Sequence, residues 1–426
     1  MNKSVKLSPD EYRALDFDSK DPLRSYRDLF HVPTGPDGRH LIYFCGHSLG
    51  LQPRTAKDCI QQELDAWARL GVEAHFQGNN PWYDYHELFR DCGAGLVGAR
   101  PGEVVMMNSL TVNLHLMLAT FYRPARQRFK ILIDEPVFPS DLYALQSQVR
   151  LHGYDPGDAL LPIRPRPGEH CLHNEDIEAT FASRGPEIAL VFLNGVNFFS
   201  GQFFDVQRFT RLAKEQGCVA GYDLAHAAGN VVLQLHDWGV DFAVWCQYKY
   251  LNSGPGAVAG CFVHERHGQN LDLPRLAGWW GNDPATRFQM PGQFVPQPGA
   301  DGWQISNPPI FALAPVRASL AIFDQAGMPA VRAKSELLTA YLEFLLDQLP
   351  GKRFETITPR DPIRRGCQLS ILVHDRPRAL IEALKAGGVV CDFREPNVVR
   401  VAPVPLYNTF HEVWSFVQIL KQSMSC

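Results

Sequence analysis

The residue best suited to covalent chemistry is Lys249, a lysine between two tyrosines in the stretch WCQYKYLNSGPG. The apolar run DFAVW leads to it, and Gly254 and Gly256 follow it. This pattern predicts a buried strand that ends at a cation, after which the backbone turns. An unprotonated lysine amine can attack an electrophile or form an imine with an aldehyde. A lone lysine at the end of a strand is more often a solvated charge, so the residues around Lys249 must show whether it has a catalytic role.

Residues of other chemical types follow the other apolar runs. Thr111 comes shortly after VVMM and opens a helical pattern, Phe138 follows FKILID, and Asp223 and His226 follow CVAGY. Ligands of open α/β sheets collect where the strands end, so we expect these side chains to face one ligand. A helix that begins near Thr111 suits a phosphate, Phe138 can stack on a flat ring, and Asp223 can keep a ring nitrogen protonated. Together with the imine of Lys249, these features indicate pyridoxal 5′-phosphate.

Each of these signals has a simpler explanation when it is taken alone. Thr111 could be an ordinary helix cap, and Asp223 and His226 could be a local hydrogen-bonded pair. The stretch GPGAVAG resembles a dinucleotide-binding motif only weakly, because its spacing is GxGxxxG and it precedes an apolar strand. A nicotinamide cofactor is therefore disfavoured.

The elements that must position these residues alternate between apolar runs and helical patterns. Six runs are predicted strands: Val104–Met107, Phe129–Asp134, Ile188–Leu193, Cys218–Asp223, Asp241–Trp245 and Ala257–Val263. Helical stretches lie between them: Val112–Phe121, Leu142–Leu151 and Val206–Gln216. Continuous apolar runs are typical of strands that are covered on both faces. The sequence therefore predicts an α/β domain with a mostly parallel sheet flanked by helices.

The 426 residues are too many for one ordinary core and predict two or three domains. Further helices are predicted over Arg54–Leu70, Ala312–Gln325 and Val331–Leu349, and a Pro- and Gly-rich loop over Pro291–Pro309. From about Phe354 the pattern is that of a smaller α+β unit. We expect residues 1–50 to form an N-terminal segment packed with the small domain, residues 51–310 the large cofactor-binding domain, and residues 311–426 the small domain.

The composition is globular, with 45% hydrophobic and 20% charged residues and a net charge of −4. Neither nucleic acid nor a membrane is an expected partner, because there is no dense basic run and no apolar run of about 18 residues. The ten cysteines form no CxxC or zinc-ligand spacing, so we expect no metal site. With no signal-peptide pattern at the start, these thiols predict a cytoplasmic protein.

Eight motifs, in order from about residue 40 to near the C-terminus, carry a resemblance to a known family: IYFCGHSLGLQP (42–53), NSLTVNLH (108–115), EPVFPSD (135–141), GYDLAHAAGN (221–230), CQYKYLNSGPG (246–256), LAGWWG (276–281), ISNPPI (305–310) and RVAPVPLYN (400–408). The chain resembles kynureninase, a vitamin-B6 hydrolase of tryptophan catabolism. The resemblance implies the aspartate-aminotransferase-type fold, which is fold type I of the pyridoxal phosphate enzymes, with a seven-stranded sheet. It implies hydrolysis of L-kynurenine or 3-hydroxy-L-kynurenine to anthranilate or 3-hydroxyanthranilate and L-alanine.

The same resemblance implies roles for individual residues. Lys249 would carry the cofactor and act in catalysis with Tyr248 and Asp223. The cofactor would be bound by Leu110, Thr111, Phe138, Ser140, Asp141, Asn194, Asp223, His226, Tyr248, Lys249, Trp279 and Asn307. The substrate, a small amino acid, would be bound by His75, Ser306, Asn307 and Arg400. Arg400 would clamp its α-carboxylate, while Trp279 and Asn307 would come from the partner subunit of a homodimer.

Two positions depart from the family pattern. His47 stands in GHSLG where the family commonly has Asn, and Asn282 follows GWWG where eukaryotic relatives have His. Both are expected near the substrate. His75 and Asn307 could each bond an extra ring hydroxyl, which leads to the hypothesis that 3-hydroxykynurenine is at least as good a substrate as kynurenine.

Two other functions stay open from the sequence. Another pyridoxal phosphate enzyme of this fold, such as an aminotransferase or a cysteine desulfurase, would need a different catalytic group. For a desulfurase, Cys367 and Cys391 are the candidate nucleophiles. A non-enzymatic binding protein is the second alternative, although the pairing of Lys249 with Asp223 argues against it.

Overall fold

The first elements of the chain are three helices and three short strands. The computed structural model describes residues 7–290, 292–351 and 353–423. These opening elements are α1 (Glu11–Ser19), β1 (Phe30–His31), β2 (Ile42–Tyr43), β3 (Gln52–Pro53), α2 (Ala56–Leu70) and α3 (Arg90–Val97). The first residue of the predicted loop Pro291–Pro309, and the outer ends of the predicted domain ranges 1–50 and 311–426, lie outside the described residues.

A seven-stranded sheet forms the centre of the large domain, as the family resemblance implied. Its strands are β4 (Val104–Met107), β5 (Lys130–Asp134), β6 (Leu160–Ile163), β7 (Ile188–Asn194), β8 (Val219–Asp223), β9 (Phe242–Cys246) and β10 (Ala259–Val263). Their spatial order is β4-β10-β9-β8-β7-β5-β6, and only β10 runs antiparallel to its neighbours. The carboxyl ends of the other six strands therefore lie along one edge of the sheet.

Helices cover both faces of this sheet. They are α4 (Leu110–Phe121), α5 (Pro139–Leu151), α6 (Pro156–Ala159), α7 (Asn174–Arg184), α8 (Val206–Glu215), α9 (Leu235–Trp238), α10 (Glu265–Gly268) and α11 (Ile310–Ala326). Strand β5 shows how the layers separate. Ile131 and Ile133 pack in one buried cluster with α4 and α5, whereas Leu132 packs in the other with α7 and α8. An uninterrupted apolar strand is the expected consequence of burial on both faces.

A smaller sheet and three further helices form the C-terminal part. These elements are α12 (Met328–Asp347), β11 (Phe354–Thr356), β12 (Leu369–Val373), α13 (Pro377–Ala386), β13 (Val389–Val390), β14 (Asp392–Arg394), β15 (Val398–Val401) and α14 (Phe410–Ser423). The sheet has the order β11-β12-β15-β14 and is antiparallel throughout. No helix in the described ranges is long and apolar enough to cross a membrane.

The buried clusters indicate how the domains divide. Phe17 of α1 and Phe44 pack in the small-domain core, whereas Leu313 of α11 packs in the large-domain core. Within α12, Val331 belongs to the large core and Leu338 to the small one. The predicted domain limits remain a proposal, and this packing favours a boundary inside α12.

Candidate active site

A small pocket of about 60 Å³ opens at the edge of the large sheet where β4, β5, β7, β8 and β9 end. Ten of its lining residues were selected from the sequence: Leu110, Thr111, Phe138, Ser140, Asp141, Asn194, Asp223, His226, Tyr248 and Lys249. Phe198 and Ala225 complete the lining and were not predicted.

The amine of Lys249 lies inside this pocket against a histidine and two aromatic rings. Its Nζ atom is 3.1 Å from Nε2 of His226, 5.7 Å from the ring centroid of Phe138 and 6.0 Å from that of Tyr248. Burial, followed by the positive charge of Lys249, lowers the pKa of His226 well below its ordinary value. The imidazole is therefore neutral, and Nε2 can accept a hydrogen bond from the amine.

The loop that carries GHSLG lies directly on the backbone beside Lys249. The amide of Gly50 donates to the carbonyl of Tyr248 at 2.8 Å. A Cβ atom at Gly50 would stand 2.3 Å from the carbonyl oxygen of Lys249. Only glycine permits this approach, so the loop fixes the position of the lysine.

Two helices point their first turns at the same end of the pocket. Thr111 is the second residue of α4 and Ser140 the second of α5, and their hydroxyl oxygens are 2.8 Å apart. The unpaired N–H groups and the positive dipole ends of both helices favour an anion there. This arrangement suits a phosphate group.

Two carboxylates meet deeper in the pocket. Asp223 ends β8, and its Oδ1 accepts a hydrogen bond from the amide of Ala225 at 2.6 Å. Asp141 is buried, and neither of its carboxylate oxygens has a hydrogen-bond partner within the described ranges. Burial, and then the negative charge of Asp223, raises the pKa of Asp141 well above its ordinary value.

Asn194 is held in the pocket wall by a residue that the sequence reasoning missed. Its backbone amide and its Nδ2 donate to the buried carboxylate of Asp134, at 2.9 and 3.0 Å. Nδ2 of Asn197 donates to the same carboxylate at 2.9 Å. The signal was present, because Asp134 is the charged residue that ends the run FKILID.

Arg400 lies behind the pocket rather than in its lining. It belongs to β15 and is buried, and its Nη1 donates to the carbonyl of Phe198 at 2.6 Å. Its Nη2 contacts the carboxylate of Asp392, which faces it across β14 and β15. Its Nε has no hydrogen-bond partner in the part of the chain that the structure describes. The guanidinium is thus tied to the pocket wall but keeps free donors.

Besides Arg400, four predicted residues lie outside the pocket lining of a single chain. His75 is only partly buried, and its Nδ1 is 3.0 Å from the carbonyl of Val72. Trp279, Ser306 and Asn307 are exposed. None of the four lines the pocket, so their assigned roles stay predictions.

The two departures from the family pattern have different surroundings. Neither His47 nor Asn282 lines the pocket. His47 is buried, with its ring centroid 6.5 Å from that of His226. Asn282 is also buried, but its Oδ1 accepts a hydrogen bond from the amide of Val295 at 2.8 Å, so it holds its own loop together.

The donor set of the pocket fits pyridoxal phosphate. The hydroxyl pair at the two helix ends matches the phosphate, and the Phe138 ring offers a stacking surface. A carboxylate pair that includes an unpartnered, buried Asp141 matches a ring nitrogen. The Lys249 amine matches the aldehyde. A binding protein without catalytic activity would not need all four features, namely the hydroxyl pair, the aromatic ring, the carboxylate pair and the lysine amine.

Two family models match the chain. One, described as Aminotransferase class-V, covers residues 60–375, and the other, described as Kynureninase C-terminal domain, covers residues 331–420. Among the curated relatives, kynureninases from Myxococcus xanthus and Koribacter versatilis are 57% and 53% identical. These matches cover 96% and 95% of this chain and 96% of each relative.

Solved structures with the same fold are far more distant in sequence. A cysteine desulfurase from Thermococcus onnurineus has a TM-score of 0.73 at 17% identity, with 99% of both chains covered. A cysteine desulfurase from Escherichia coli has a TM-score of 0.75 at 16% identity, covering 95% of this chain and 98% of its own. At such identities the likeness establishes the fold alone.

Proposed function

The chain belongs to the kynureninase family, and from this premise we propose how its residues hydrolyse L-kynurenine to anthranilate and L-alanine, a reaction of tryptophan catabolism. The observation that carries the proposal is that Lys249, Asp223 and the Thr111–Ser140 hydroxyl pair line one pocket. When bound, pyridoxal phosphate supplies an aldehyde that reacts with amines and a cationic ring that withdraws electrons from the substrate.

Residues of this chain would hold the cofactor by its two ends. Leu110, Thr111 and Ser140 would bind the phosphate through the first turns of α4 and α5. Asp223 would face the ring nitrogen, and Phe138 would lie on the ring. Asn194 would line the site from the end of β7.

Lys249 is the group that removes a proton from the substrate's α-carbon. Its amine can do this only when unprotonated, and the neutral His226 at 3.1 Å can accept its hydrogen bond without competing as a charged donor. Tyr248 is our candidate for returning a proton to the β-carbon. Burial raises the pKa of the Tyr248 hydroxyl above its ordinary value, so that it stays protonated and able to donate.

Burial in the structure argues against the desulfurase alternative. A desulfurase requires a reactive thiolate. Burial raises the pKa of Cys367 to about 12 and that of Cys391 to about 12, so both thiols stay protonated near neutral pH. Neither cysteine lines the pocket.

The direct test is to incubate the purified protein with pyridoxal phosphate and L-kynurenine and to follow anthranilate fluorescence and alanine release. We expect both products in equal amounts. Lys249→Ala should abolish turnover together with the visible absorption band of the bound cofactor, whereas Lys385→Ala, at an exposed lysine of α13, should change neither. Turnover without Lys249, or no anthranilate from the wild-type protein, would disprove the proposal.

The preferred substrate remains a finer part of the proposal. His75 and Asn307 are polar groups that could bond the ring hydroxyl of 3-hydroxykynurenine, once a second subunit brings them to the pocket. We expect kcat/KM for 3-hydroxykynurenine to equal or exceed that for kynurenine. A strong preference for kynurenine would reject this assignment.

The assembly and location belong to the proposal as well. A homodimer would explain why Trp279, Ser306 and Asn307 are exposed in the single chain and remote from the pocket lining. A cytoplasmic location is supported by the nine described cysteines, all of which are free.

A further inference from the structure

A buried histidine without hydrogen bonds lies beside the candidate active site. His47 is fully buried, and neither ring nitrogen has a partner within residues 7–290, 292–351 and 353–423. Its Nε2 points toward Oδ2 of Asp392 at 3.5 Å. Burying an imidazole without hydrogen bonds lowers the stability of the folded protein. Such a residue calls for a functional explanation.

Asp392 connects this histidine to the arginine expected to bind the substrate. Its Oδ2 contacts Nη2 of Arg400 and accepts a hydrogen bond from Nη2 of Arg394 at 3.0 Å. Burial opposes ionisation of Asp392, but the contact with His47 and the charge of Arg400 outweigh it and lower the pKa of Asp392 below its ordinary value. Asp392 is therefore an anion fixed between two guanidinium groups.

The orientation of Arg400 depends on this anion. A guanidinium has five N–H donors, and the described partners of Arg400 use one on Nη1 and one on Nη2. The three donors that remain, including the one on Nε, suffice for a bidentate hydrogen bond to a carboxylate. Without Asp392, the guanidinium would lose its hydrogen-bond partner on β14 and could turn, so that the free donors would lose their direction.

We propose that Asp392 and His47 form a buried positioning pair that holds the guanidinium of Arg400 in the orientation needed to bind the substrate's α-carboxylate. Asp392 bonds Arg400 directly through Oδ2, and the buried ring of His47 packs against the same oxygen at 3.5 Å and limits the movement of the carboxylate. The inference rests on the proposed role of Arg400 and adds two residues that do not touch the substrate.

A bound metal ion is the competing explanation for the same cluster. Ligand atoms of Cys45, His47 and Asp392 all lie within 4.8 Å of one another. Two guanidinium groups already contact the carboxylate, however, and their positive charges disfavour a cation at that point. Metal analysis of the purified protein separates the two explanations. A stoichiometric metal that survives chelation would overturn the proposal, and its absence supports the positioning pair.

The test compares KM and kcat for L-kynurenine in the holoenzyme. We expect Asp392→Asn to raise KM by about tenfold or more, the scale of a lost charge-assisted hydrogen bond, while kcat changes by less than about threefold. His47→Ala should raise KM by a smaller factor, and His47→Asn should restore it, because the amide still offers a donor. Cofactor absorbance and affinity should stay unchanged in all three.

A double-mutant cycle shows whether the pair acts through Arg400. We expect Arg400→Lys to raise KM and Asp392→Asn to add less than about twofold in that background. The inference would be overturned if the effects of the two substitutions on KM multiplied, or if Asp392→Asn left KM unchanged. An unchanged KM in Arg400→Lys would instead reject the role of Arg400. If Asp392→Asn fails to fold, the same cycle with His47→Ala decides.

A matched control comes from the opposite end of the sheet. His236 bonds the buried carboxylate of Glu103 at 2.9 Å, and Glu103 precedes β4, whose other end borders the pocket. His236→Asn thus disturbs an equivalent histidine–carboxylate pair away from the site. Its KM should match that of the wild type, and an increase like that of His47→Ala would mean that the effect is merely structural.

Discussion

At the level of single residues, the two carboxylates of the pocket are expected to do different work. Asp223 accepts a hydrogen bond from the amide of Ala225, whereas Asp141 is buried without a partner among the described residues. Burial, and then the negative charge of Asp223, raises the pKa of Asp141. We therefore expect Asp223 to face the ring nitrogen of the cofactor and Asp141 to be the neutral acid beside it.

This division predicts unequal effects of the same substitution at the two positions. Asp223→Asn removes the charge and should lower kcat by about 100-fold or more. Asp141→Asn replaces a protonated acid by a neutral amide of similar shape and should cost less than about tenfold. Steady-state rates with L-kynurenine, normalised to bound cofactor, measure both. The reverse ranking would contradict this division of roles.

Sequence reasoning selected the pocket residues well where each one directly follows a strand. Lys249, Asp223 and Thr111 needed only the position of the strand ends and the known side-chain chemistry. Asp134 and Asp392 were missed because their importance lies in what they hold, Asn194 and Arg400, and such pairs form between segments distant in the chain. No local pattern reports that kind of contact.

At the level of elements, the convergence of two helix ends is what a sheet with parallel strands provides. Strands β4 and β5 each lead directly into a helix, α4 and α5, whose first turns meet where Thr111 and Ser140 touch. Each helix contributes unpaired N–H groups and a partial positive charge. Binding of a phosphate at this point would thus be favoured by the fold itself, and the hydroxyls would add specificity.

Removing one hydroxyl from this pair should weaken the cofactor without changing the chemistry. Thr111→Val keeps the shape of the side chain but loses its hydrogen bonds, and the dissociation constant for pyridoxal phosphate should rise by about tenfold. Thr111→Ser, which keeps the hydroxyl, should bind nearly as the wild type does. Titration of the apoenzyme by absorbance gives these constants, and equal affinity of Thr111→Val and wild type would contradict the phosphate assignment.

The same level shows which elements the sequence could predict. All six predicted strands are present, because doubly buried strands give continuous apolar runs. Strand β6 was not located, since LLPI is short and contains a proline, and α7 was not located because it buries only Ile177 and Phe181. Elements with few buried residues have a weak hydrophobic periodicity and are therefore hard to predict from sequence.

At the level of the whole molecule, one face of the large domain exposes aromatic residues that a second copy could cover. Phe76 and Phe288 are 59% and 58% exposed, and both lie about 6 Å from the ring of Tyr83. Trp279 contacts Phe288 at 6.0 Å. Large exposed apolar patches are typical of interfaces between proteins. The patch thus includes a residue expected to reach the pocket of the partner subunit.

Mixed dimers test this arrangement directly. If Asn307 serves the pocket of the partner, a Lys249→Ala subunit paired with an Asn307→Ala subunit contains one pocket with both residues intact and one with neither. Each variant alone should be inactive or nearly so. Co-expression with random pairing makes half of the dimers mixed, which should restore about a quarter of wild-type activity. The control co-expresses Lys249→Ala with Asp223→Asn, two residues that serve the pocket of their own chain. Every pocket then carries one substitution, so activity should not recover. If the first pair also fails to recover although mixed dimers form, Asn307 acts within its own chain or not at all.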